Sequence, residues 1–359
     1  MKNLWKYFDK TTFTILLLIT MIGLTLIYSA SYTSDRSAFS KQILWFAFSL
    51  AAFFLTLHLK TTTAFKWRIA AFAGLIFALI ILLFAGIIIS GTRSWVRLGF
   101  ISIQFSEFIK VPLALIIARM LTRISIIDGK FFIKLLAVIT IPFGLIMLQP
   151  DLGTAFIMTS YIIIAIMLKR IKFTVLIVTI LIGAMASIFA WSYVLKPYQK
   201  SRIISFTNPE KYSQSTGYQI IQSKIAIGSG GLTGKGYLKG SQSQFKFLPT
   251  RHTDFVVSVL GEEFGFIGIS TLLLLFFFLF YRQFDLKTQT DEEFYFVYLF
   301  NGLILFQFLV NILMSIGFFP ILGVPLPFVS YGGSSLMAFF IGEGLIFKIK
   351  LNNYSDGFL

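Results

Sequence analysis

An apolar run of about 20 residues, wound as a helix, matches the hydrocarbon thickness of a bilayer. This chain repeats such runs from end to end, near residues 12–30, 41–59, 69–90, 106–122, 134–149, 152–168, 173–195, 254–281, 294–316 and 332–350. A soluble domain interleaves charge with its core and cannot present ten of them. Composition agrees: 57% of residues are apolar and 13% charged, against roughly 45–50% and about 25% in soluble domains. The expected fold class is an all-α polytopic integral membrane protein of about ten transmembrane helices. Residues 1–359 read as one membrane domain, with a large structured loop, 196–253, between spans seven and eight as a subregion. The first run has a basic start, but its polar flank at 29–40 leads straight into another run, so it reads as a retained helix and not a signal peptide.

Orientation follows from basic residues in short loops. With the N-terminus inside, the cytoplasmic segments hold Lys2, Lys6, Lys10, Lys60, Lys66, Arg68, Arg119, Arg123, Lys130, Lys134, Lys169, Arg170, Lys172, Arg282, Lys287, Lys348 and Lys350. The short outer loops hold only Arg36, Lys41, Arg93, Arg97 and Lys110. The loop 196–253 breaks the pattern, with Lys196, Lys200, Arg202, Lys211, Lys224, Lys235, Lys239, Lys246 and Arg251 against Glu210 as its one acid. Such a loop attracts anions, either lipid headgroups or a pyrophosphate-linked substrate. Nucleic acid is not expected, since no recognition module is present. There is no cysteine, which excludes thiol catalysis, disulfides and sulfur-ligated metals.

Within the loop, Tyr218, Ile221 and Ile225 recur at helical spacing and predict an amphipathic helix on the membrane surface. The glycine cluster GSGGLTGKG that follows fails both nucleotide-binding patterns on spacing: a P-loop needs glycine where Ser229 stands. It reads as a flexible turn or as a backbone-amide nest near a phosphate.

Ionisable groups at the mouths of apolar runs are costly and so mark candidate sites. In QFSEFIK, Glu107 and Lys110 are spaced i, i+3 and can pair, either as a structural bridge or as part of a functional cavity. The segment GTRSWVRLG before it carries Arg93, Trp95 and Arg97: arginines suit phosphate, and the tryptophan suits an interfacial anchor. In QPDLGTA, Asp151 is placed to cap the next helix. In FLPTRHTDFVVSVLGEEFGFIG, Arg251, His252 and Asp254 run into a long apolar helix. Asp254 is expected in its first turn, where the helix N-terminus and Arg251 favour the charged form and burial opposes it. It is a candidate general base or merely a cap. Last, Pro320, Pro325 and Pro327 forbid a continuous helix before Ser330, Tyr331, Ser334 and Ser335. A Ser-His-Asp triad on His252 lacks the G-x-S-x-G elbow.

These motifs, in this order, resemble the SEDS family of bacterial membrane glycosyltransferases (shape, elongation, division and sporulation proteins). The LPxxHTDF…EExGxxG signature matches at Leu248, Pro249, His252, Thr253, Asp254, Phe255, Glu262, Glu263, Gly265 and Gly268. The Glu-x-x-Lys run, the Pro-Asp-x-Gly-Thr turn and the P-x-x-G-x-x-L-P-x-x-S-Y-G-G-S-S loop match as well, although Phe105 replaces the family's proline before Ser106. The run Gly323-Val324-Pro325-Leu326-Pro327 is closer to the elongation branch than to the division branch.

The resemblance implies a peptidoglycan polymerase in the bacterial cytoplasmic membrane, with both termini cytoplasmic and its site on the outer face. Its substrate would be lipid II, a disaccharide-pentapeptide on undecaprenyl pyrophosphate, joined into β-1,4 glycan with inversion. Asp254 would be the base, with Glu107, Lys110, Asp151, His252 and the Ser330–Ser335 loop in support. Lys110, Arg93, Arg97, Arg251 and loop lysines, Lys235 among them, would face the leaving pyrophosphate. No organic cofactor is implied; a divalent cation, Mg2+ or Mn2+, would share the phosphate, with no metal ligand set legible. No transpeptidase motif is present, so the resemblance implies a class B penicillin-binding protein as partner, with other elongation-complex proteins. A lipid II flippase and a non-catalytic scaffold are the rival readings. Against transport, the sequence shows neither an inverted repeat nor a pair of broken helices.

Overall fold

A computed structural model describes residues 7–33, 37–89, 91–99, 101–212 and 216–355. Lys2, Lys6 and Arg36 of the charge argument lie outside them. Helices α1 (Lys10–Ser31), α2 (Ser37–His58) and α3 (Thr61–Ala85) come first. A three-stranded antiparallel sheet follows, built from β1 (Ile87–Ile89), β2 (Thr92–Leu98) and β3 (Ile101–Gln104). A single turn, α4 (Phe105–Phe108), then leads into α5 (Lys110–Leu121). Next, β4 (Ile126–Ile127) precedes α6 (Gly129–Leu148) and α7 (Leu152–Leu168), and β5 (Arg170–Ile171) precedes α8 (Phe173–Phe189). The long loop contains α9 (Pro197–Thr207), α10 (Thr216–Ser229) and α11 (Ser241–Gln244). The chain closes with α12 (Val256–Phe284), α13 (Asp291–Ser315) and α14 (Gly333–Ser355). Among the described residues, seven helices are long and apolar enough to cross a membrane, and Leu152–Leu168 is apolar but shorter.

Local chemistry sets several starts. Asp9, Asp128, Asp151 and Thr290 each accept a hydrogen bond from the backbone N–H three residues on, at 3.1, 2.8, 3.0 and 3.2 Å, and so cap α1, α6, α7 and α13. The third apolar run is shifted from its expected place. Its helix starts at Thr61, because Lys66 and Arg68 can reach water along their aliphatic stems, and stops at Gly86, where three isoleucines leave as β1. The sheet is absent from the sequence reading. It pairs Trp95 with Gln104 and Arg97 with Ser102, and it turns at Gly91 and Gly99.

In the bundle, α14 packs along α2, and α13 packs against α5 and α7. A cluster of rings from Phe8, Phe13, Phe53, Phe340 and Phe347 joins α1, α2 and α14. Helix α10 forms as expected but docks by the other face. Gly217, Ile220, Ser223 and Ala226 are buried, and Ser223 Oγ bonds Ser258 Oγ of α12 at 2.6 Å and Ser315 O of α13 at 2.5 Å. The Tyr218, Ile221 and Ile225 stripe is left partly or fully exposed.

Helix α12 is broken at Gly265, whose φ of 64° and ψ of −157° are not helical. That region is open essentially to glycine alone. The glycine-rich segment 230–236 fills the break. Phe266 and Ile267 N–H donate to Gly231 and Leu232 O at 2.9 and 3.1 Å, while Lys235 and Gly236 N–H donate to Glu262 and Glu263 O at 2.9 and 3.0 Å. A side chain at Gly265 would run into Leu232 and Gly234 backbone. The cluster is therefore neither a loose turn nor a phosphate nest. It is a strap that completes a discontinuous helix, and the sequence reading missed that break.

Candidate active site

Four of the charged residues singled out in the sequence, Glu107, Lys110, Asp151 and Asp254, gather at one end of the bundle. Lys110 Nζ donates to Glu107 Oε2 at 2.7 Å and to Gln307 Oε1 at 3.1 Å, and it lies 4.9 Å from the Phe339 ring centroid. Both members of the pair are buried. Thr154 Oγ1 donates to Glu107 Oε1 at 3.4 Å, linking the pair to the first turn of α7. Asp151 caps that turn, and its other oxygen accepts from Gln104 Nε2 at 2.8 Å. Burial pushes the Asp151 carboxyl up, opposed by the Thr154 hydrogen bonds, with Glu107 adding to the rise and Lys110 opposing it. Capping and membership of the charged cluster thus hold together at Asp151.

Asp254 stands in a turn, not in the first turn of α12, which begins at Val256 with Phe255 at the cap position. Its N–H donates to Thr250 O at 3.0 Å and its C=O accepts from Asn311 Nδ2 at 2.9 Å, so the backbone is pinned on both sides. The side chain does not cap the helix. Burial pushes its pKa up to about 6 against the opposing pull of Arg202 and hydrogen bonds from Thr253 and Thr250, and Asp151 adds to the rise. Asp254 and Asp151 therefore feel one another across the gap between two chain segments.

The fold assigns the expected cations differently. Arg251 is buried and its Nε donates to Ala30 O at 2.6 Å, tying the turn to the end of α1. The cation with the largest pull on Asp254 is Arg202 of α9. Lys235 is bound to Glu262 Oε1 and Ser241 Oγ, both at 2.8 Å, within the strap. Arg93 and Arg97 are exposed on the sheet, and Arg93 Nη1 reaches Leu83 O at 3.5 Å. Trp95 Nε1 donates to Thr92 Oγ1 at 3.1 Å. Of the expected phosphate partners only Lys110 lies within the cluster.

The proline-rich segment closes the site from the α14 side. Ser330 Oγ donates to Thr253 O and accepts from Leu326 N–H, and Tyr331 N–H donates to His252 O at 2.8 Å. The His252 and Tyr331 rings meet edge to face at 5.6 Å. Burial and then Arg251 push the His252 imidazole down, so the ring is held neutral as a packing group. Ser334 Oγ accepts from Gln104 N–H at 2.9 Å. Ser335 Oγ, Ser106 Oγ and Asn311 Oδ1 are buried with no hydrogen-bond partner among the described residues. Four contributors escaped the sequence reading as site residues: Gln104, Arg202, Gln307 and Asn311. Gln307 Nε2 donates to Pro325 O at 2.8 Å and Asn311 Nδ2 to Val324 O at 2.7 Å, so α13 holds the segment from one face. Their signal was available, since amides four apart in an apolar helix share a face and demand partners.

The fold and the site define a multi-pass membrane protein with a buried, carboxylate-rich cluster at one bundle end, bordered by irregular proline-rich chain. Residues 9–355 match the FtsW/RodA/SpoVE model of cell cycle proteins, and the chain belongs to that family. It is 34% identical over 354 residues to the peptidoglycan glycosyltransferase MrdB of Escherichia coli K12, covering 97% of this chain and 95% of that one. It is 32% identical over 422 residues to the peptidoglycan glycosyltransferase RodA of Treponema pallidum, covering 96% and 97%. Among solved structures, a chain of a peptidoglycan synthase complex that coordinates polymerization and crosslinking superposes with a TM-score of 0.84 at 27% identity, covering 97% and 99%. The rod shape determining protein RodA of Thermus thermophilus gives 0.71 at 27% identity, covering 97% and 98%.

Proposed function

We propose that this chain is a peptidoglycan glycosyltransferase that polymerises lipid II into β-1,4 glycan during cell elongation, with Asp254 as general base. The observation that carries the site assignment is the convergence of Asp254, Asp151 and the Glu107–Lys110 pair from separate segments into one cluster. The relatives' names and full-length coverage support the activity. In the reaction, the 4-hydroxyl oxygen of the acceptor sugar bonds to the donor's anomeric carbon with inversion. The bond from that carbon to the pyrophosphate oxygen breaks, and its electron pair leaves on the lipid pyrophosphate. The hydroxyl proton passes to Asp254. A carboxylate poised near 6 is ionised at neutral pH yet basic enough to take that proton as it is released. Lys110, buried and paired, is a cation of the cluster, and its charge favours the departing diphosphate.

Among the described residues no three His, Cys, Asp or Glu side chains gather as a metal site, so the divalent cation is given no protein ligand and no step passes through it. Cross-linking falls to a class B penicillin-binding protein within the elongation complex, a reading supported by the synthase complex with which the chain superposes. We place both termini in the cytoplasm, after ten passes, and the cluster on the outer face. The cysteine-free chain allows a direct check. A cysteine at Ser241 should react with an impermeant thiol reagent on intact cells and one at Thr288 should not; the reverse pattern inverts the topology.

The activity is tested with purified protein and lipid II in detergent, with and without the partner. Glycan strands are expected from the parent and none from a folded Asp254→Asn. No polymer from the parent under either condition would leave flippase or scaffold standing. Polymer from Asp254→Asn would remove Asp254 as base. The break in α12 offers transport no support, because its freed amides at 266 and 267 are occupied by the strap.

A further inference from the structure

Helix α9 lies in the loop, outside the motifs that identify the cluster, yet it delivers a guanidinium to Asp254. Pro197 at the first turn and a bond from Lys196 N–H to Gln199 Oε1 at 2.9 Å start the helix firmly. Arg202 follows on the second turn, and its Nη1 donates to Ile321 O at 3.5 Å in the proline-rich segment. Two residues on, Gly323 has a φ of +74°. A methyl group built on Gly323 would lie 3.6 Å from Arg202 Nη1 and 3.8 Å from Asp254 Oδ2. Guanidinium and carboxylate thus approach the same bare stretch of backbone, one from α9 and the other from the turn before α12. Its φ favours glycine there, and both charged groups lie within ordinary contact distance of a methyl group at that one position.

We propose that Arg202 is a positioning residue of this site: its guanidinium, brought to Asp254 across Gly323, holds the carboxylate in its charged form and sets the direction in which it faces the acceptor. The inference rests on the reading of Asp254 as base. The groups that act on Asp254 come from several elements. Asp151 at the start of α7 opposes ionisation, and it is itself modulated by Glu107 and by Lys110. Thr250 and Thr253 of its own turn favour ionisation, as does Arg202. His252 and Arg251 of that turn look elsewhere, to Tyr331 and to Ala30. Asn311 holds the backbone. Burial outweighs the attractive contributions, so removing the leading cation moves the balance further toward the protonated form.

The test is the pH dependence of polymerisation by purified protein and lipid II with the partner present. The parent profile should fall on the acid side with a limb near the Asp254 value of about 6. In Arg202→Gln the limb should move up by about one pH unit, the lower end of what a neighbouring opposite charge does to a carboxylate. At pH 6 that is a loss of about fivefold, whereas above pH 8 activity should return to within about threefold of the parent. Arg202→Lys, which keeps a cation, should hold the limb near its parental place. Arg202→Met, which retains an aliphatic stem, serves should the Gln variant unfold in detergent. Equal loss at every pH, or an unmoved limb in a folded variant, overturns the proposal while leaving Asp254 as base. An active Asp254→Asn overturns the base assignment and this inference with it.

Discussion

Asp9 and Asp254 stand at opposite ends of the bundle, and each is a carboxylate that burial pushes upward. At Asp9 the push is overcome by bonds from Lys350 and Thr12, and the carboxyl settles at about 2. Arg282 adds a pair at 2.9 Å and bonds Thr12 Oγ1 at 2.8 Å, so three helices are laced through one acid. Glu292 near that end does the same for α3 and α5, with Arg68 at 3.3 Å and Arg119 at 3.2 Å. At the Asp254 end the acids Asp151, Glu107 and Asp254 share fewer close cations, and Asp254 is left at about 6. The first arrangement fixes helices. The second leaves a carboxylate under-neutralised, which costs stability and suits the base proposed for it.

Deleting one cation at each end should separate the two roles most clearly. Lys110→Met leaves Glu107 buried without its partner and should lower stability by about 3–5 kcal/mol. Lys350→Met leaves Asp9 still held by Arg282 and Thr12 and should cost less, about 1.5–3 kcal/mol, the worth of one hydrogen bond to a charged group. Denaturation in detergent at neutral pH checks both, and equal losses would mean that the two ends do not differ in kind. A finer distinction lies in pH. The Asp9 carboxyl is lower in the folded state than its ordinary 3.8, so its contribution is present above that value and lost as pH falls through about 2. The Asp254 carboxyl is higher, so the folded protein holds its proton more tightly, and stability falls as pH rises from 3.8 through about 6. Asp254→Asn should therefore flatten the stability profile between pH 4 and 7, whereas Asp9→Asn should lower stability by a constant amount above about pH 4 and change the slope only at the acid extreme. Parallel profiles for the two variants would break the comparison.

The helical runs were legible because hydrophobic length speaks directly of a bilayer. The Glu107–Lys110 pair and the Asp151 cap were legible because both are local, set by spacing of three residues. What sequence hid was tertiary or conformational. The sheet around Trp95 lay in a stretch whose glycines at 91 and 99 marked turns that went unread. Arg251 and Lys235 have the right charge in the right loop, but Ala30 O and Glu262 claim them. Nothing in spacing reveals that Arg202, 52 positions before Asp254 in the chain, is the cation that reaches it. Membership of the signature does not by itself make a site residue. Glu262 and Glu263 sit in the motif but serve the strap and α1: Glu262 accepts from Gln242 and Ser243 N–H at 2.8 and 3.0 Å, and Glu263 accepts from Ser29.

The strap at Gly265 bears on how the protein is made. Residues 230–236 are synthesised before α12, yet they supply the carbonyls that Phe266 and Ile267 require. In hydrocarbon those amides have no water to turn to. The span can reach its final form only when the preceding loop has folded back onto it. Completion of α12 and closure of the loop thus depend on one another, and the turn that carries Asp254 lies between them.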